Sequence, residues 1–250
     1  MPLKIKTAFI FAAGLGRRML PLTKDLPKPL IKVADIALID RIILQLVAIG
    51  ITRILINTHY LAEMLTSHLE DFFKTLPQDI VWRISYEPNL LETGGGVVNQ
   101  LAFFENKPFY TINSDMIWMD TTISPFALLE QNWSADKMGL LLLKAKDEAI
   151  GYNGIGDFTL RIGGQLERKD GMSRYPYVFP GIQILSPKLF DGRNPGDVFS
   201  LNQFYKNTIT TGPDAGLISN FYGAVYDGKW LHVGDPEGLA KAEEYFKMTR

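Results

Sequence analysis

A chain of 250 residues with 46% hydrophobic and 21% charged side chains can bury roughly 70 to 75% of its unfolded surface, which excludes disorder and fibre. Its 26 Lys and Arg against 27 Asp and Glu leave a net charge of -1, so no electrostatic case exists for binding nucleic acid or an anionic membrane. Any polyanion handled here is small. The lack of cysteine removes disulfides, thiolate metal sites and a thiol nucleophile, and fits a reduced, cytoplasmic setting.

The expected elements alternate for the first 135 residues. Lys4 to Phe11 is a β-branched and aromatic run that predicts a strand. Lys4 and Lys6 ahead of Thr7 to Ala13 imitate a minimal export signal, but the apolar stretch is short and leads straight into Gly14 to Arg18. Leu38 to Ile49 has apolar residues at helical spacing and stops at Gly50, and Arg53 to Asn57 follows as a short strand. Asp40, Arg41 and Arg53 interrupt Ile36 to Ile56 as a membrane span, which wants about 20 apolar residues. A helix near Leu61 to Lys74, a strand near Val81 to Tyr86, a helix from Gly94 or Gly95 to Phe103 and a strand at Phe109 to Asn113 continue the pattern. Such alternation predicts an α/β fold, Rossmann-like, with three α/β/α layers about a mixed, mostly parallel sheet.

Beyond residue 150 Gly and Pro become frequent and the apolar runs short. Phe158 to Ile162, Gln165 to Arg168 and Tyr177 to Leu185 predict antiparallel strands, hence a small antiparallel β appendage. Lys229 to Val233 predicts the last strand; Asp235, Pro236 and Glu237 then supply a cap, a first-turn proline and a first-turn acid for a final helix. With no repeat or linker, 1–250 reads as one domain, with parts at about 1–120 and about 121–235 and a helix at about 236–247.

Three segments carry the chemistry. Gly14 and Gly16 follow the first strand, where ligands of open α/β sheets bind and where glycines let backbone N–H groups approach phosphate. A third glycine at Met19 and a Gly-Lys-Ser/Thr triplet are both missing, so neither a dinucleotide fingerprint nor a Walker A loop is present. Arg17, Arg18 and Lys28 instead suggest a loop wrapped around a triphosphate; a glycine turn with solvated cations accounts for the same residues. Asp115, ending the fourth strand, suits Mg²⁺ bridging nucleotide phosphates, and an Asx turn explains it equally. In Glu92-Thr93-Gly94-Gly95-Gly96, glycines cost a helix interior roughly 0.8 to 1 kcal/mol each. A base edge or a sugar therefore approaches closely there, or the turn is a plain loop.

Together these segments resemble the sugar-1-phosphate nucleotidylyltransferases. The likeness rests on Gly-x-Gly-x-Arg-Met-x-Pro-x-Thr from Gly14 to Thr23, Pro27-Lys28-Pro29-Leu30, Leu91-Glu92-Thr93-Gly94-Gly95, Asp115, Phe179-Pro180-Gly181-Ile182 and Trp230-x-x-Val233-Gly234-x-Pro236-Glu237. It runs from about residue 5 to 247. Within the family the N-acetylmuramate-1-phosphate uridylyltransferases are most similar, with the mannose-1-phosphate guanylyltransferases close behind.

The resemblance implies an Mg²⁺-dependent enzyme that condenses a nucleoside triphosphate with a sugar 1-phosphate. UTP with N-acetylmuramate 1-phosphate is the expected pair, and GTP with mannose 1-phosphate the alternative. It further implies that the backbone of Ala12, Ala13, Gly14 and Gly16 holds the nucleotide, that Arg18 meets the β and γ phosphates, and that Lys28 meets the reacting phosphate. Gly94, Glu87 and Glu92 are expected beside the base, Asp115 on Mg²⁺, and Asn153 and Gly181 along the sugar. Two departures stand out. His232 occupies the position where relatives carry a second metal-binding aspartate, which leaves three options: Asp115 and phosphates alone, a water bridge to His232, or help from Asp235. A histidine packed beside Trp230 is the structural alternative. Glu167-Arg168-Lys169 is only an approximate counterpart of the family's Glu-Lys-Pro. The missing carboxylate also motivates a rival of another class, a non-catalytic sugar-nucleotide sensor; a sugar transferase using an activated donor is a further rival.

Overall fold

Side-chain alternation along the strands sets the architecture. The computed structural model describes residues 4–120, 122–168, 174–209 and 220–249. In chain order the elements are β1 (Thr7–Phe11), β2 (Lys32–Val33), β3 (Ile36–Ala37), α1 (Leu38–Ala48), β4 (Arg53–Thr58), α2 (Ala62–Phe73), β5 (Val81–Tyr86), α3 (Glu92–Val98), β6 (Phe109–Asn113), β7 (Met116–Met119), α4 (Pro125–Asn132) and β8 (Gly139–Ala145). They continue with β9 (Thr159–Leu160), β10 (Leu166–Glu167), β11 (Tyr177–Val178), β12 (Ile182–Leu185), α5 (Asn202–Ile209), β13 (Phe221–Val225), β14 (Lys229–His232) and α6 (Pro236–Met248).

The central sheet runs β13, β8, β12, β6, β1, β4, β5, with β11 prolonging β12 along the same edge of β8. Neighbouring strands are parallel except where β11 and β12 intervene. Ala8, Ile10, Ile54, Ile56, Tyr110, Ile112, Leu140, Leu142, Ile182 and Ile184 point to one face, into a core shared with Ile42 and Leu46 of α1, Leu65 and Leu69 of α2 and Leu129 of α4. Phe9, Leu55, Phe109, Leu141, Leu143 and Leu185 point to the other, against Val97 and Val98 of α3 and Tyr205 of α5. Strand side chains alternate with period 2, so strands that are apolar at every position must be covered on both faces, and the three-layer α/β/α sandwich follows. A third, smaller cluster of Met19, Ile31, Val33, Ile117, Leu231, Val233 and Ala242 joins the first loop to the β7–β14 ribbon and α6. No helix among the described residues is long and apolar enough to cross a membrane.

The expected helices over Leu38–Ile49 and Leu61–Lys74 appear as α1 and α2 within a residue at each end. The antiparallel pair of β9 and β10 is present, turned by Gly163 and Gly164 at φ 90° and 82°. Other boundaries need correcting. The helix expected from Gly94 or Gly95 begins at Glu92 and ends at Val98, with a separate 3-10 turn at Leu101–Phe104. Tyr177 to Leu185 is broken at Gly181, whose φ of 82° turns the chain out of extended conformation. Its second half, β12, belongs to the central sheet and not to the appendage.

Gly139 opens β8 opposite Phe221 of β13. A Cβ there would run into the Phe221 ring, which is fully buried. Gly139→Ala is expected to destabilise the protein by about 1 to 3 kcal/mol through overpacking, seen as a lower denaturation midpoint with an unchanged slope in urea.

Candidate active site

At the carboxyl edge of the sheet β1 gives way to the loop Ala12–Gly16, which is held from below by a buried amide. The Ala12 N–H donates to Asn57 Oδ1 at 2.8 Å, and Asn57 Nδ2 donates to Glu87 Oε1 at 2.8 Å. Glu87 Oε2 then accepts the Leu91 N–H at 3.0 Å. Asn57 and Glu87 are 4% and 1% exposed, so each polar group here needs its partner. Their network ties the ends of β1, β4 and β5 to the start of α3.

Gly16 has φ 62°, a left-handed conformation that favours glycine. Its carbonyl accepts the buried Thr23 hydroxyl at 2.8 Å and the Met19 N–H at 2.9 Å. By contrast a Cβ on Gly14 would meet nothing within 4 Å, so that side of the loop faces open space. Met19 plugs the third core cluster, which leaves its neighbours Arg17 and Arg18 exposed above the sheet edge.

Lys28 begins a 3-10 turn between Pro27 and Pro29. Its ammonium donates to Asp115 Oδ2 at 2.6 Å and to the Gly234 carbonyl at 3.3 Å. The two side chains are 12% and 17% exposed. Burial pushes the Asp115 carboxyl up, but Lys28, with His232 and Arg18, overrides it and holds the group below the usual carboxylate range. Asp115 is therefore an anion at neutral pH, set in a field of cations.

The β7–β14 ribbon brings the first departure beside this pair, because His232 is opposite Met116, the residue after Asp115. The imidazole is 9% exposed and stacks on Trp230, with ring centroids 5.8 Å apart and planes 20° apart. Burial holds its pKa below the ordinary histidine value, against the pull of Asp115. Asp235 is committed elsewhere: its Oδ1 accepts the Gly238 N–H at 2.8 Å and caps α6. Among the described residues no three His, Asp or Glu side chains gather as a metal cage. A single carboxylate at a strand end still matches Mg²⁺, which commonly takes one or two protein carboxylates and completes its shell with phosphate and water.

A cavity of about 460 Å³ is lined by Ala12, Ala13, Gly14, Gly16, Arg18, Lys28, Glu87, Glu92 and Asp115. These nine residues and Arg17, all singled out from sequence, thus share one cleft. The remaining four lie apart from its lining. Gly94 and Gly95 donate their N–H groups to the Phe199 carbonyl at 2.9 and 3.1 Å, and a Cβ at either would strike the Phe199 ring or the Asp197 carbonyl. The close approach announced by consecutive glycines is thus made by the protein itself. Asn153 is exposed and donates to Glu237 Oε2 at 3.3 Å. The Gly181 carbonyl accepts the Asn113 N–H at 2.9 Å, and a Cβ on Gly181 would sit 3.0 Å from Asn113 Cβ, against the strand end that carries Asp115. His232 stands behind Asp115. Lys169 lies outside the described residues. Sequence reasoning missed Asn57 and Thr23; for Asn57, a polar residue ending an apolar strand beside the glycine loop was the available signal.

The family model of nucleotidyl transferases matches residues 7–247. The chain is 36% identical over 242 residues to the N-acetylmuramate alpha-1-phosphate uridylyltransferase of Caulobacter vibrioides, covering 95% of this chain and 96% of that protein. It is 29% identical over 239 residues to the protein of the same name from Neisseria meningitidis serogroup B, covering 94% and 96%. The mannose-1-phosphate guanylyltransferase catalytic subunit beta of Dictyostelium discoideum is 26% identical over 92% of this chain and 61% of its own length. In architecture the chain is similar to HddC from Yersinia pseudotuberculosis complexed with GMP-PN, with a TM-score of 0.73 and 22% identity over 97% of this chain and 100% of that one.

Asn57→Asp would replace the donor facing Glu87 by a second carboxylate. It is expected to destabilise the protein by about 1 to 3 kcal/mol at pH 8. Two facing acids raise one folded-state pKa above its unfolded value, so the deficit should shrink as the pH falls towards 5 and that group takes up a proton. Urea unfolding at both pH values measures it.

Proposed function

The chain belongs to the sugar-1-phosphate nucleotidylyltransferases, and we propose that it joins UTP to N-acetylmuramate 1-phosphate, releasing pyrophosphate. The near full-length likeness to two N-acetylmuramate uridylyltransferases carries this choice of substrates. The mannose-1-phosphate guanylyltransferases extend well past the part they share with this chain.

In this reaction a phosphate oxygen of the sugar 1-phosphate forms a bond to the α-phosphorus of UTP while the bond to the pyrophosphate oxygen breaks. The nucleophile is already anionic at neutral pH, so no general base is required. What remains is to hold two polyanions in line and to stabilise charge on the departing group. The open side of Gly14 lets main-chain N–H groups meet phosphate, and Arg18, exposed at the cleft, takes the β and γ phosphates. Lys28 meets the reacting phosphate and exchanges Asp115 for it as partner. Asp115 is the residue that would hold Mg²⁺, whose chemistry is neutralisation of triphosphate charge. Glu87, Glu92 and the start of α3 form the wall on which the base rests.

A panel of four nucleoside triphosphates crossed with several sugar 1-phosphates, read by pyrophosphate release, should give the highest kcat/KM for UTP with N-acetylmuramate 1-phosphate. Greater efficiency with another pair would overturn the substrate assignment. Arg18→Ala and Lys28→Ala should each lower turnover about 10²- to 10³-fold, the usual loss for one preorganised charge donor, with the fold intact in both and the thermal midpoint lowered only in Lys28→Ala, where Asp115 loses its partner. Asp115→Ala should abolish the Mg²⁺-dependent rate. His232→Asp adds a second oxygen ligand and should lower the Mg²⁺ concentration that gives half-maximal rate.

A further inference from the structure

Four consecutive residues, Asn57, Thr58, His59 and Tyr60, end β4 and enter the turn to α2 at the carboxyl edge of the sheet. The first three hold Glu87. Asn57 Nδ2 donates to its carboxylate at 2.8 Å, the Thr58 carbonyl accepts its N–H at 2.8 Å, and His59 Nδ1 lies 2.7 Å from its carbonyl. A carbonyl can only accept, so Nδ1 is the nitrogen that carries the proton of this contact. Main chain and side chain of Glu87 are thus both fixed by one short segment. The fourth residue reaches the opposite way: the Tyr60 hydroxyl donates to the carbonyls of Thr23 and Lys24 at 3.0 and 2.7 Å. Thr23 passes the restraint on through its own hydroxyl, which donates to the Gly16 carbonyl at 2.8 Å. Leu61 follows at φ 49°, a left-handed conformation rare for leucine, and such a residue persists only where its surroundings over-determine it.

Neither His59 nor Tyr60 lines the cavity, whereas Gly16, Arg17, Arg18 and Glu87 do. A group that touches no ligand acts on binding by limiting the positions of groups that do, so its loss is felt only through the parts it restrains. Tyr60 restrains the far end of residues 16–23, the stretch that carries Arg17 and Arg18. His59 restrains Glu87, in the wall that leads into α3. We propose that the two are positioning residues with divided duties: Tyr60 fixes the part of the cleft that takes the β and γ phosphates, and His59 fixes the wall that takes the base. The inference rests on the reading above that the phosphates meet Arg18 and the base meets the Glu87 wall. It makes the turn after β4 a brace between the two halves of the nucleotide.

The test titrates UTP and UMP, with GTP and GMP in parallel, into the full chain with Mg²⁺ and without sugar phosphate. The tighter pair is then read in the native protein and in Tyr60→Phe, His59→Leu, His59→Asn and Arg18→Ala, with the thermal midpoint of each. Tyr60→Phe removes one hydroxyl and should raise the Kd for the triphosphate about 3- to 10-fold, the worth of one hydrogen bond, while the monophosphate Kd stays within about twofold. His59→Leu should raise both Kd values about 3- to 10-fold alike, because both ligands carry the base. His59→Asn, whose amide nitrogen is attached at the same carbon as Nδ1, should restore most of that loss. A purely structural role moves the midpoint and not the ratio of the two Kd values. Parallel loss on both ligands in Tyr60→Phe, or a lowered midpoint with both affinities unchanged, therefore overturns the inference, and Tyr60→Phe decides alone if His59→Leu does not fold. Arg18→Ala tests the reading beneath it. Loss confined to the triphosphate sustains that reading whatever the Tyr60 and His59 variants do, and loss on neither ligand overturns the reading and the inference together.

Discussion

The contact between Lys28 and Asp115 is the constraint on which the cleft depends. It joins residues 87 positions apart at 2.6 Å, and each arrives by a separate structural route. Lys28 is carried by a proline-flanked turn whose Leu30 packs into the main core. Asp115 stands between β6, in the middle of the sheet, and β7, in the ribbon with β14. An ion pair shielded from water is worth keeping only when both partners are held in good geometry. Here both are, and the Gly234 carbonyl takes a further share of the ammonium. The cation and the anion therefore satisfy each other within the cleft.

Around that pair the scaffold is rigid on one side and open on the other. Asn57 and Glu87 clamp the loop floor through buried hydrogen bonds, and Thr23 closes the far end of the loop on Gly16. Of the two loop glycines, Gly14 and not Gly16 faces space without protein in reach. Such an arrangement lets backbone donors be fixed before a ligand arrives, which is the physical meaning of preorganisation.

Much of the layout was legible in the order of residues. Strands and helices of the first half announce themselves through caps, glycine stops and periodicity, and Arg18, Lys28 and Asp115 sit where strand ends and turns must put them. β8 escaped notice because Gly139 to Leu143 is apolar at almost every position, and a strand buried on both faces has no alternation to reveal it. The glycines of α3 signalled crowding correctly, yet nothing local says that Phe199 and Asp197, a hundred residues on, supply it at Gly94 and Gly95. Asn57 and Thr23 were missed for a related reason: a hydrogen-bond partner is chosen by strand register and loop path, which only the folded chain defines. His232 shows the opposite case, where the motif named the position and the structure gave the imidazole its place on Trp230.

The grip of Phe199 on Gly94 and Gly95, reinforced by the Leu201 N–H on Thr93 Oγ1 at 3.0 Å, bears on how this fold can diversify. One wall of the cleft is stitched to chain that lies about a hundred residues further on. Transplanting the amino-terminal half alone would leave that wall without its buttress, so the cleft is built whole only when the Asp197–Leu201 turn travels with it.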